Sequence, residues 1–326
     1  SGVGADICEL EIPEPMPYAE VSIDATMSYT DQNGDYVIAH GGGDEVTVES
    51  PLRGQYFRVY NFADTDTVLT QDVLPPGPAD FLHNAANATE FDRGEVNAYV
   101  QANNVRDFTI AHAPSFPVIP GQTNFSMTVN EPGGSFCPGN AQYTFTAINF
   151  CRSGSTYPNT AWTSVIYHEY GHHVVEMGGS GQGEYGEGMS DTISAIILDD
   201  SRLGYGFFGT CTQSLRNADN NCNYSASSCS TCGSAIHTCG QLLSGCMWDT
   251  RNELVVTEPD NYTDILLQLA VDSVLLHSGS SITPQIAIDW LTVDDDDGNI
   301  DNGTPHHSEI CTGFGAHLMD CPELSD

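Results

Sequence analysis

The chain is read as an α+β protein on three observations. Residues 1 to about 73 are rich in Val, Thr and Tyr with alternating polarity, residues from about 160 onward carry helical periodicity, and no internal repeat interrupts that order. Strands first and helices afterwards is the α+β pattern.

In the first segment, Tyr18 to Asp24 and Glu45 to Glu49 alternate apolar and polar residues, which gives each strand one face for a core. Asn33-Gly34 between two such runs predicts a hairpin, because a tight turn needs positive φ at both positions. Asp31, Asn33 and Asp35 are read as turn residues there rather than as calcium ligands. Pro75-Pro76-Gly77-Pro78 then punctuates the chain. It separates a small all-β N-terminal domain, 1–75, from a larger domain, 76–326. Beyond it, Glu95 to Phe108 is predicted as a helix, and Phe125 to Val129 and Tyr143 to Ile148 as strands. Helices are predicted over 160–177, 186–199, about 237–252, 260–277, 284–292 and 304–318.

The formal net charge is −36, and all eight basic residues are Arg. So acidic a surface disfavours nucleic acid and anionic membrane as partners, and it suits salty water, where screening weakens self-repulsion. No apolar run approaches the ~18 residues of a membrane span. No signal-peptide pattern opens the chain, so Ser1 reads as a processed terminus. A monomer is expected. Eleven cysteines, eight of them from Cys211 to Cys321, suit a secreted, extracellular protein with disulfides, and the odd count leaves one unpaired. Cys229-x-x-Cys232 with His237 and Cys239 nearby offers the alternative of a structural zinc knuckle.

The stretch that carries chemistry is His168-Glu169-Tyr170-Gly171-His172, followed by Glu187 and Asp191. On a helix, residues four apart share a face, so His168 and His172 can offer two imidazole nitrogens to one ion. Glu187, opening a second helix, supplies a third ligand and leaves one position for water, the arrangement of a catalytic zinc. Asp191, one turn beyond Glu187, can accept the other ring N–H of a liganding histidine. Glu169 falls beside the metal as the general base. Separately, Asp294-Asp-Asp-Asp297-Gly298-Asn299-Ile300-Asp301 packs oxygen ligands around a glycine turn, so Asp295, Asp297 and Asp301 are read as structural calcium ligands.

These motifs, taken in order, resemble the thermolysin-like and fungalysin-like metallopeptidases, gluzincins whose third zinc ligand is a glutamate. The resemblance spans roughly residues 92–318. Gly186-Glu187-Gly188-Met189-Ser190-Asp191 looks like the family's glutamate helix. Ser214-Leu215-Arg216-Asn217 is similar to the segment whose arginine binds the substrate carbonyl. Asp301-Asn302-Gly303-Thr304-Pro305-His306 resembles the segment whose histidine contacts the transition state and whose aspartate orients it. Asn140-Ala141 looks like the edge strand that pairs with extended substrate. The run from His237-x-x-Gly240 to Trp248-Asp249-Thr250-Arg251 is more like the fungalysin branch.

The resemblance implies a zincin-type catalytic domain with a mixed sheet and a mainly helical C-terminal lobe; the cysteine-rich insertion at about 205–240 is an elaboration that departs from the family. It implies a zinc endopeptidase acting on proteins or peptides, with Glu169, His306 and Arg216 catalytic. The chain departs from thermolysin in its short interval between His172 and Glu187, and it has no counterpart of that family's tyrosine there. An aminopeptidase or a glycoprotein-specific protease would share the same metal chemistry. A non-catalytic calcium-binding exoprotein on this fold would have no need of Glu169.

Overall fold

The computed structural model describes residues 2–3, 7–134 and 136–325. Its architecture is α+β. The chain forms two compact units: Ser1–Val105, Gly121–Ile166 and Tyr205–Gln213 make the first, and Arg106–Pro120, Tyr167–Gly204 and Ser214–Asp326 the second.

In the first unit, β1 (Gly2–Val3) pairs with β2 (Ile12–Pro13). An antiparallel sheet follows in the order β4-β3-β5-β7, built from β3 (Glu20–Ile23), β4 (Thr26–Tyr29), β5 (Val46–Pro51) and β7 (Val68–Val73). Alternation places Val21, Ile23, Val48 and Val73 on one buried face. The tight hairpin falls at Asp24-Ala25, between Ile23 and Thr26, where Asp24 takes φ 50°. Asn33-Gly34 does form a turn: Asp31 Oδ1 accepts the amides of Asn33 (2.8 Å) and Asp35 (3.0 Å). The run after it does not pair as a strand, because Tyr36 and Ile38 cover the apolar face of the sheet instead.

A second sheet has the order β6-β8-β10-β9. Here β6 (Phe57–Asn61), β8 (Phe125–Glu131) and β10 (Ala147–Cys151) run parallel, and β9 (Ala141–Tyr143) is an antiparallel edge. This sheet draws strands from both sides of the proline run at 75–78. The strand predicted over Tyr143 to Ile148 is two strands, since Phe145 at φ 67° and the Thr144 N to Ala147 O bond (2.8 Å) turn the chain between them. Helix α1 (Glu90–His112) begins ahead of the predicted Glu95 because Thr89 Oγ1 accepts the Asp92 amide at 3.1 Å, an N-terminal cap.

The second unit is mainly helical: α2 (Thr163–Gly178) from Tyr167 onward, α3 (Glu184–Leu198), α4 (Ile236–Thr257), α5 (Tyr262–Val274), α6 (Gln285–Asp294) and α7 (His307–Gly315). Short antiparallel pairs join β11 (Arg202–Leu203) to β12 (Arg216–Asn217) and β13 (Tyr224–Ser225) to β14 (Cys229–Ser230). Helices α3 and α4 approach closely because glycines face each other: a Cβ on Gly188 would stand 2.9 Å from Gly240 O.

The disulfides are Cys8–Cys211, Cys137–Cys151, Cys222–Cys232, Cys229–Cys239 and Cys311–Cys321. Cys229, Cys232 and Cys239 are therefore spent in disulfides, which rules out the zinc-knuckle alternative. Cys246 is the unpaired cysteine, buried within α4, where burial pushes its thiol pKa well up. Native protein should therefore be inert to a thiol reagent, and unreduced protein in denaturant should release one thiol per chain. A higher count would contradict this pairing.

Candidate metal centre

Helix α2 stacks His168 over His172, with their Nε2 atoms 3.2 Å apart. Gly171 between them lets α3 come close, since a Cβ there would meet Ser190 Cα at 2.7 Å. That contact delivers Glu187: its Oε2 lies 3.4 Å from His168 Nε2 and its Oε1 3.7 Å from His172 Nε2. An ion bonded at 2.0–2.1 Å in tetrahedral geometry needs ligand atoms about 3.4 Å apart. The trio meets that spacing, and two nitrogens with one carboxylate oxygen form a zinc donor set with a position to spare. Glu187 Oε2 is buried without a well-aligned donor, as suits an atom meant for a cation.

Each imidazole is turned by its other nitrogen. His168 Nδ1 donates to Asp191 Oδ1 at 2.7 Å, and His172 Nδ1 donates to Gln182 Oε1 at 2.8 Å. Both Nε2 lone pairs then point at the same small volume. Burial alone would lower the His168 pKa, but Asp191 and Glu187 outweigh it and lift the value to about 9. Burial and the neighbouring His168 charge push His172 down to about 4. Burial would raise Glu187, yet His168, His172 and His237 pull it down to about 2.

Arg216, on β12, forks onto Asp191, with Nε 2.7 Å from Oδ2 and Nη2 2.8 Å from Oδ1. Burial disfavours its charge, but Asp191, Glu187 and Glu169 more than compensate, so its pKa is raised. These donors, expected to reach a substrate carbonyl, are committed to Asp191. Burial likewise opposes the Asp191 charge, and Arg216 and His168 hold its pKa well below the usual range. Glu169 is buried within α2, next to His168.

Two residues at the site escaped the sequence reading of it. Gln182, on the turn between α2 and α3, orients His172. His237, in the first turn of α4, is exposed, with Nε2 3.2 Å from Glu187 Oε1. The signal for it was the His237-x-x-Gly240 spacing: the glycine admits α3, with a would-be Cβ 2.9 Å from Glu187 Cβ, and the histidine one turn earlier shares that face.

Among the described residues, the hydrogen bond and ion pair of the His306 ring run to Asp294 rather than to the trio. His306 caps α7, its Nδ1 lying 2.6 Å from Asp294 Oδ1 and its amide donating to Asp294 Oδ2 at 2.6 Å. Asp294, not Asp301, orients that ring. In the acidic loop the carboxylates that converge are Asp295, Asp296 and Asp297. Asp301 lies outside that group, in a short 3-10 turn where its amide donates to Asn299 Oδ1. Ala141 begins the edge strand β9, and Asn140 O accepts a hydrogen bond from Thr160 Oγ1 at 2.9 Å.

The chain matches no protein-family model and no curated protein sequence. Among solved structures it is similar to the precursor of protealysin, a metalloproteinase from Serratia proteamaculans. The TM-score is 0.57 at 12% identity, over 87% of this chain and 90% of that one. The likeness is one of fold.

In metal-free protein the raised His168 contributes stability below its unfolded value of about 6.5. That contribution disappears as pH rises through about 9. His172, depressed to about 4, contributes above about 6.5 and loses its share as pH falls toward 4. The melting temperature of wild type minus that of H168N/H172N, measured in chelator, should therefore peak near neutral pH and fall on both sides. A difference that climbs steadily to pH 10 would contradict this. Asp191→Asn should weaken zinc binding about 10–100-fold, read by chelator competition.

Proposed function

We propose that the protein is a secreted zinc-dependent endopeptidase. The observation that carries the reading is the His168, His172 and Glu187 trio, with both imidazoles turned inward through Nδ1 and Glu169 on the same helix. The shared fold with a metalloproteinase precursor supports it, and five disulfides suit an extracellular setting.

Zinc, when bound, supplies Lewis acidity toward a carbonyl and lowers the pKa of water toward ~7. The chain's own residues do the rest. Glu169 takes the proton from the attacking water and returns it to the leaving amine. His237, exposed beside Glu187, donates to the oxygen on which negative charge develops, the role first expected of His306. Arg216 acts mainly through Asp191, keeping that carboxylate ionised so that it holds His168. Asp295, Asp296 and Asp297 take a structural calcium, whose charge relieves their mutual repulsion.

Glu169→Gln should keep one zinc per chain and lose roughly 100 to 10,000-fold in casein hydrolysis. His237→Phe should lose about 100–1,000-fold in kcat with KM little changed, while His306→Phe leaves kcat as it was. Full activity in zinc-loaded Glu169→Gln would refute the peptidase assignment, and the reverse ranking of the two histidine variants would restore His306 to the site.

A further inference from the structure

The mechanism above does not use His277, which is buried, and neither does it explain what holds Gln182 in place. Gln182 sits on the turn between α2 and α3, grips His172 Nδ1 with Oε1, and returns Nε2 to His172 O at 2.9 Å. A turn of Gly179, Ser180, Gly181 and Gly183 has little stiffness of its own. Its rigidity is borrowed from the segment after α5.

The Gly181 amide donates to Gly279 O at 2.8 Å and the Tyr185 amide to Ser280 O at 3.0 Å. Ser180 Oγ lies 2.7 Å from Val274 O and 2.9 Å from His277 O. Gly181 admits no side chain there, since a Cβ would stand 2.7 Å from Gly279 O. Tyr185, two residues before Glu187, lies face to face with the His277 ring at 3.9 Å and 20°. His277 is fixed in rotation by Asp289, Nδ1 to Oδ2 at 3.0 Å, and Gln285 Nε2 donates to Asp289 Oδ1 at 3.1 Å.

His277 Nε2 is buried with no hydrogen-bond partner among the described residues. An orphaned polar atom in the interior is costly. A residue kept only to fill space beside Tyr185 would be apolar. A ring that must be both flat against Tyr185 and locked in angle by a carboxylate meets the need of a histidine.

We propose that His277 is a positioning residue for the metal centre, acting through Tyr185 and the 179–183 turn to set Gln182 against His172. The proposal rests on the metal reading of the trio. In it Asp289 fixes His277, the flat stack fixes Tyr185 and the first turn of α3, and the paired backbones fix Gln182.

The test is a double-mutant cycle in the full chain, read as zinc dissociation constants by chelator competition, with the melting temperature of the metal-free form measured alongside. Gln182→Ala and His277→Leu should each weaken zinc binding about tenfold. The double variant should bind zinc no more weakly than Gln182→Ala alone, because both act on one contact. Tyr185→Phe, which keeps the stack, should bind as wild type does, and Tyr185→Leu should behave as His277→Leu. Additive losses in the double variant would overturn the proposal, as would unchanged zinc affinity with a lower metal-free melting temperature, the mark of a packing role only. If wild type binds no zinc, the metal reading fails and the proposal with it. If wild type binds zinc and the cycle is additive, the proposal alone fails.

Discussion

The buried carboxylate of Asp191 accepts hydrogen bonds from His168 Nδ1 at 2.7 Å and from the Arg216 fork at 2.7 and 2.8 Å. Three elements meet on it: α2 through His168, β12 through Arg216, and its own helix α3. Removing one partner from a buried pair costs about 3–5 kcal/mol, because the charge left behind has no solvent to turn to. Here the loss would also free the ring that aims Nε2 at the metal position. Together with His168, the Arg216 fork keeps Asp191 ionised in a site where burial alone would neutralise it.

Glycines set how near the helices come. Gly171 brings α3 against α2, and Gly188 with Gly240 brings α4 against α3. The first contact assembles the two histidines with Glu187, and the second adds His237 on the outer side of the same carboxylate. The centre is therefore a product of helix spacing, and a methyl group at any of the three positions would open it before touching a ligand.

What could be read from the sequence followed the range over which local rules hold. The closeness of His168 and His172 was legible because a helix fixes the distance between residues four apart, and the place of Asp191 was legible from Glu187 for the same reason. Gln182 was not, since it lies on a turn whose path is set by residues 274–280, far along the chain. Two histidines begin helices, His237 and His306, and choosing between them requires knowing which helix packs on α3. The Gly188–Gly240 contact sets His237 beside Glu187. The hairpin at Asp24-Ala25 was overshadowed by the stronger turn signal of Asn33-Gly34, whose following residues were drawn to cover the sheet. The order of strands and helices, a property of long segments, was sound. The pairing of cysteines, a property of the folded chain, had to await it.

The most direct measurement is an anomalous difference map at the zinc edge from crystals of protein purified without chelator. The account predicts one strong peak about 2.0–2.1 Å from His168 Nε2, His172 Nε2 and a Glu187 oxygen. A peak displaced to other ligands, or none at that position in zinc-replete crystals, would contradict it.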